Sequence, residues 1–345
     1  MQDSFNINLP ALEQWFDGHL NDHQTIDIEP IKGGGSCELF SIQRGVERWA
    51  MRRAPLNAVS SSAHDVLREF AIIHAMQDAD LPVPKVLAAE KRGAITDADF
   101  YIMEYIDGTV IRHGLPEQFM ASPETQPAIG EQLIDALVEL HCFEWRGTGL
   151  EQLANLDAFL PRQIDRWLNQ FSHYENGRDL PAVDSIAQWL RHHLPERGDL
   201  TVMHGDYKLD NVMFSHSVPP TLLRVVDFEM TTVGDPLVDL AWAMIFWPEE
   251  GNLIAIAAPD AKRGMAAEFC QSPAQLIARY AQATGRDMSQ FQWYQVFAAW
   301  KLAIVLEASY TQFLAGKSKN PSHEFFGFVT DQLLIRAEKF AADKS

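Results

Sequence analysis

The chain has little cysteine, little positive charge and no long apolar run, and each shortage excludes a class of protein. Three cysteines in 345 residues, Cys37, Cys142 and Cys270, are scattered and odd in number, which argues against a disulfide framework and offers no zinc-ligand spacing. Lysine and arginine total 28 against 47 aspartates and glutamates, a formal charge of -19, so a dedicated surface for nucleic acid or an anionic membrane is not expected. No uninterrupted apolar stretch approaches the length of a membrane span. The start, MQDSFNINLPALEQW, has no basic head followed by an apolar run. The expected compartment is the reducing cytoplasm, with neither nucleic acid nor membrane as a partner. Internal repeats and low-complexity tracts are also missing.

What is present is enough apolar sequence, 47% of the residues, to bury a large core in two domains of ordinary size. The first hundred residues read as strand-rich with one good helix. IEPIKGGGSCELFSIQRGVERWAMRRAP holds two strand-like pieces around a turn near Arg44 and Gly45. Ser60 to Ser62 can cap a helix through AHDVLREFAIIHAMQDA, and LPVPKVLAA leads into a further strand. FYIMEYIDG is a buried strand ending in a turn at Asp107 and Gly108, a hinge between lobes. Beyond residue 110, segments such as IGEQLIDALVELHCF, LPRQIDRWLNQFSHY and WYQVFAAWKLAIVLEASYTQF carry apolar residues at spacings of three and four, as amphipathic helices do. The expected division is a nucleotide-binding lobe over 1–105 and a helical lobe over 106–345.

Two polar loops interrupt the helical region. VMHGDYKLDNVMF, residues 202–214, places Asp206 and Asn211 five positions apart, and VVDFEMTTVGDPLVDLAW follows with Asp227 near its start. HGDYKLDN followed by DFEMTTVGDPLVDLAW resembles the aminoglycoside phosphotransferase and choline kinase superfamily. The order GGGS, LREF with LPVP, YIMEYIDG and the two loops is similar to the branch related to the module fused to some acyl-CoA dehydrogenases. The likeness runs from about residue 30 to residue 245.

The resemblance implies an α+β, protein-kinase-like two-lobe fold, with a small N-terminal sheet lobe carrying one main helix and a large, mostly helical C-terminal lobe. It implies transfer of phosphate from ATP, or another nucleoside triphosphate, with Mg2+, to a hydroxyl of a small-molecule acceptor. Asp206 would orient that hydroxyl and take its proton. Asn211 and Asp227 would supply the oxygen ligands that hard magnesium prefers. His204 is expected to brace its loop, and Lys208 either touches the transferring phosphate or stays solvated.

Gly33, Gly34, Gly35 and Ser36 would let backbone amides approach phosphates, although the run lacks the protein-kinase spacing. In WAMRR, strand alternation sets Ala50 and Arg52 on one face and Trp49, Met51 and Arg53 on the other. Arg52 thus stands where such kinases place a phosphate-holding lysine, with Glu69 as its partner or as an exposed helix charge. Glu104 and Ile106 would present main chain to the adenine. Asp235 and Asp239 are expected to cap the next helix or tie down the catalytic loop, and His141 reads as a core histidine. Trp242, Phe246 and Trp247 read as either core packing or a substrate platform. Asp227-Phe228-Glu229 replaces the Asp-Phe-Gly of protein kinases, which fits the small-molecule branch. The rival expectation is a catalytically silent nucleotide-binding module of the same fold.

Overall fold

In a computed structural model, the described residues are 5–31, 37–56, 65–112, 115–120, 122, 124–154, 158–174, 177–196, 198–249, 270–318 and 320–343. Helix α1 (Leu9–Leu20) comes first; the Asn8 side chain caps it by accepting from the Ala11 N–H, and Leu12 and Phe16, four apart, face inward. The strand-rich reading passed over this helix, whose signals were the Asn8 cap and Pro10 in the first turn. Strands β1 (Ile26–Pro30), β2 (Glu38–Arg44) and β3 (Glu47–Arg53) follow. After helix α2 (Val66–Met76) come β4 (Val86–Glu90) and β5 (Phe100–Glu104), completing an antiparallel sheet ordered β1-β2-β3-β5-β4.

Helix α2 is shorter than expected and is capped by Asp65, whose side chain accepts from the Arg68 N–H. Ser60 to Ser62 lie outside the described residues, as do Gly33, Gly34, Gly35 and Ser36. The alternation in β3 is as expected. Met51 and Trp49 join the cluster that seats α1 on one face of the sheet, while Arg52 reaches Glu69 of α2 on the other. That second face shares one apolar core with the rest of the chain: Val66, Ile73, Met76 and Tyr101 pack in the same cluster as the helices below.

The larger lobe begins with β6 (Thr109–Val110) and the short α3 (Glu117–Met120), then α4 (Thr125–Cys142), α5 (Phe159–Ser172) and α6 (Pro181–His192). Four short strands carry the loops: β7 (Thr201–Met203), β8 (Val212–Phe214), β9 (Leu222–Val225) and β10 (Thr232–Gly234). They form two small sheets, β6-β8-β9 and β10-β7. Helices α7 (Leu237–Phe246), α8 (Pro273–Thr284), α9 (Phe291–Leu314) and α10 (Ser322–Ala342) complete the lobe. Helix α9 is the core element, with α7, α5, α6 and α10 packed around it. Among the described residues, no helix is long and apolar enough to cross a membrane.

Candidate active site

The catalytic loop turns sharply at the end of β7. Gly205 has φ +85°, and a Cβ there would stand 2.4 Å from the Met230 carbonyl oxygen, so the position requires glycine. Asp239, in the first turn of α7 and fully buried, accepts from the backbone N–H of His204 at 2.6 Å and of Gly205 at 3.0 Å. Behind it, His141 Nε2 lies 3.4 Å from Asp239 and His141 Nδ1 lies 2.7 Å from the Tyr280 hydroxyl. Burial holds the His141 pKa below its usual value against the pull of Asp239. His141 is therefore a buried support, as the sequence suggested.

His204 ties the two loops together. Its Nδ1 accepts from the Asp206 N–H, which leaves Nε2 to donate to the Val226 carbonyl at 2.9 Å. Its ring also packs on Phe228. The side chain braces main chain on both sides.

Asp206 is held by three donors. Trp242 Nε1 donates to Oδ1 at 2.8 Å, while Lys208 Nζ and Asn211 Nδ2 donate to Oδ2 at 2.7 and 3.0 Å. Burial raises the affinity of this carboxylate for a proton, but Lys208, by charge and hydrogen bond, and the Trp242 N–H outweigh it, so the pKa falls below the usual 3.8. Asp206 is thus ionised and oriented at neutral pH. Lys208 is no solvated bystander; it is paired to Asp206 and lies 5.6 Å from the Phe246 ring centroid. Trp242, one of three aromatic residues expected to be either core packing or a substrate platform, contacts the carboxylate with its indole edge. Trp247 is core, fully buried and hydrogen-bonded to the Gln271 carbonyl.

The hairpin of β8 and β9 returns the chain so that the Val226 N–H donates to the Asn211 carbonyl at 2.9 Å. Asp227, in the left-handed region at φ +72°, is thereby set beside the catalytic loop. Across the cleft, Arg52 uses its fork: Nε donates to Glu69 at 2.7 Å and Nη2 to Asp227 at 2.7 Å, with Glu229 3.8 Å away. Glu69 also accepts from the Phe228 N–H at 3.0 Å. One cation thus faces three carboxylates. Burial works against the Arg52 charge, but Glu69 and the other anions hold it above its ordinary value; burial pushes Glu69 up to about 7 against the Arg52 pull.

At the hinge, Glu104 does more than present main chain. Its carboxylate pairs with Arg224 of β9 at 2.7 and 3.2 Å and accepts from the Lys85 N–H. The Glu104 N–H already donates to the Lys85 carbonyl, and the Ile106 carbonyl accepts from the Gly108 N–H. The Glu104 N–H is therefore used up within the protein, whereas the Ile106 carbonyl keeps a second lone pair. Sequence reasoning also missed Arg68, which donates to the carbonyls of Glu229 and Thr231 and pins α2 to the second loop. Asp235 caps α7 through the Leu237 N–H and accepts from the Tyr294 hydroxyl.

The donor set suits magnesium. Both hydrogen bonds of Asn211 Nδ2 go to Asp206, so the amide oxygen is its atom for a cation. With the Asp227 carboxylate it offers two hard oxygen ligands, the number magnesium takes from protein when phosphates and waters supply the rest. Among the described residues, no group of three or more His, Cys, Asp or Glu side chains is arranged to hold a metal ion by itself.

The profile described as "Phosphotransferase enzyme family" matches residues 27–294. The chain is 27% identical to mouse acyl-CoA dehydrogenase family member 10 over 338 residues, covering 96% of this chain and 31% of that protein. It is 26% identical to human acyl-CoA dehydrogenase family member 11 over 337 residues, covering 94% of this chain and 42% of that protein. It therefore spans well under half of these curated relatives. Among solved structures, a candidate aminoglycoside phosphotransferase of Ralstonia eutropha superposes with TM-score 0.82 at 25% identity, over 97% of this chain and 98% of that one. A spectinomycin phosphotransferase in complex with ADP and spectinomycin superposes with TM-score 0.58 at 12% identity, over 96% of this chain and 99% of that one.

Proposed function

The chain belongs to the phosphotransferase enzyme family and has the kinase-like fold of its structural neighbours, and on that premise we propose that it transfers the terminal phosphoryl group of ATP, with magnesium, to a hydroxyl of a small molecule. The observation that carries the reading is the state of Asp206: ionised, held by Trp242, Lys208 and Asn211, and next to the loop that bears Asp227. Crystal complexes of structural neighbours with ADP plus hygromycin B or spectinomycin support a nucleotide and a small-molecule acceptor.

In this reading the acceptor hydroxyl donates to Asp206 Oδ1, which has one donor, Trp242, among the described residues. The hydroxyl oxygen forms a bond to the terminal phosphorus, the bridging oxygen leaves with ADP, and the hydroxyl proton passes to Asp206. A carboxylate with a low pKa is a weak base, so its chief contribution is orientation, with proton transfer following as the new bond forms. Asn211 and Asp227 would hold the metal; magnesium, when bound, neutralises phosphate charge. Arg52 steadies phosphate oxygens beside Asp227, and Gly33 to Ser36 would cover them with backbone amides. Residues 1–105 act as the nucleotide-binding lobe and 106–345 as the helical lobe that presents the acceptor. The cytoplasm, which supplies MgATP and keeps the three cysteines as thiols, is the matching compartment.

The test is an ATP-turnover screen over hydroxylated metabolites, aminoglycosides and hydroxyacyl thioesters, comparing wild type with Asp206→Asn. Transfer by wild type and loss of at least about a hundredfold in the variant are expected. Magnesium-dependent ATP binding with no transfer across the panel would overturn the reading in favour of a silent module.

A further inference from the structure

Lys301 sits in the middle of α9 with 8% of its surface exposed, in a row of apolar neighbours that includes Trp300, Leu302 and Ala303. Its Nζ lies 3.8 Å from the centroid of the Trp242 ring and 5.4 Å from that of Trp167, and it makes a long hydrogen bond, 3.4 Å, to the Gly205 carbonyl. The charged groups facing it are Asp206 and Asp239, which favour the ammonium, and Arg166 and Lys208, which oppose it. Burial dominates and brings its pKa down to about 8. A buried ammonium with so little hydrogen bonding costs stability that a leucine or methionine at the same place would not.

The geometry points to what the charge does. Trp242 presents its edge to Asp206, with Nε1 2.8 Å from Oδ1, and its face to Lys301. A cation on an indole face is held by the ring quadrupole, and polarisation along such a chain strengthens the N–H as a donor. The same ammonium contacts the carbonyl of Gly205, the residue at which the catalytic loop turns.

We propose that Lys301 is a positioning residue for phosphoryl transfer: clamped between the Trp242 face and the Gly205 carbonyl, it fixes the indole so that its N–H stays on the Asp206 carboxylate. Lys301 touches neither nucleotide nor acceptor in this account. The inference rests on the role given to Asp206 above, so the test separates the two.

The first measurement needs no turnover. In the full chain labelled with 15N-tryptophan, the Trp242 indole N–H resonance is identified as the one absent from Trp242→Phe. In wild type it is expected to move as pH rises through about 8. Lys301→Arg should hold the low-pH position from pH 7 to 10, and Lys301→Met should hold the high-pH position throughout. A wild-type resonance that stays fixed and coincides with that of Lys301→Met overturns the inference, whatever Asp206 does.

The second measurement follows hydrolysis of MgATP with water as acceptor. Lys301→Met is expected to lower kcat by about tenfold to a hundredfold with KM for MgATP unchanged, and Lys301→Arg to restore most of it. If Asp206→Asn abolishes hydrolysis while Lys301→Met matches wild type, the inference fails and the Asp206 reading stands. If Asp206→Asn hydrolyses like wild type, that reading fails first. Thermal melts of both Lys301 variants identify a folding defect, and the wild-type titration decides the case if Lys301→Met does not fold.

Discussion

Arg52 and Asp227, 175 positions apart in sequence, meet at 2.7 Å across the cleft between the sheet and the second loop. The same guanidinium holds Glu69 through Nε, so one planar fork joins β3, α2 and the loop that bears Asp227 into a single charged unit.

Lysine has three donors on one compact ammonium but no planar fork, so it cannot reproduce the geometry in which Nε and Nη2 each meet a separate carboxylate. Arg52→Lys is therefore expected to keep the fold and raise KM for ATP several-fold, because the two contacts are weakened together. Arg52→Met should leave Glu69 buried beside Asp227 without a cation and destabilise the protein by about 3 kcal/mol. Urea denaturation of the two variants checks the difference, which vanishes if the arginine acts on phosphate alone.

Asp227→Asn removes a charged oxygen ligand while keeping the side-chain shape. ATP affinity measured in excess magnesium should fall on the order of tenfold or more, whereas affinity measured in a chelator should change little. Equal losses under both conditions would place Asp227 outside metal binding.

Asp239→Ala takes away the acceptor for the buried His204 N–H and the part-buried Gly205 N–H, and the neighbour of the buried His141. Orphaning these donors costs about 2 kcal/mol, and the released turn should also lose turnover. A variant with wild-type melting temperature would show that the loop holds itself.

The depressed Lys301 pKa has a defined sign in stability. Between about 8 and the ordinary 10.5, the unfolded chain binds more protons than the folded one, so this group makes stability rise with pH across that window. Below about 8 both states are protonated and the burial cost is present in full. The difference in unfolding free energy between wild type and Lys301→Met should therefore shift in favour of wild type from pH 8 to 10. A constant difference across that range would mean an ordinary lysine.

The sequence was most informative where chemistry is local. Asp206 and Asn211 share one loop, and the strand alternation that set Arg52 apart from Trp49 and Met51 needs no partner to be read. The Arg52 and Glu69 pair was also legible, since a strand residue and the first turn of the next helix come together in a βα arrangement of this kind. Helix α1 was missed because Asn8, Pro10, Leu12 and Phe16 give a short signal in a strand-rich neighbourhood. At the hinge, the Glu104 side chain was overlooked because Arg224 lies 120 positions away.

The sequence by itself determined the residue types of the two loops and their spacing, and through the family resemblance these carry, the expectation of phosphoryl transfer. Only the tertiary structure decided which side chains serve them. Trp242 reaches Asp206, Asp239 accepts from the Gly205 turn, and Lys301 lies on the Trp242 face because α7 and α9 pack against each other beside the catalytic loop. Helical periodicity says that such residues face inward. It does not say what they meet there, since crossing angle and axial offset between helices are set by the packing of the whole lobe.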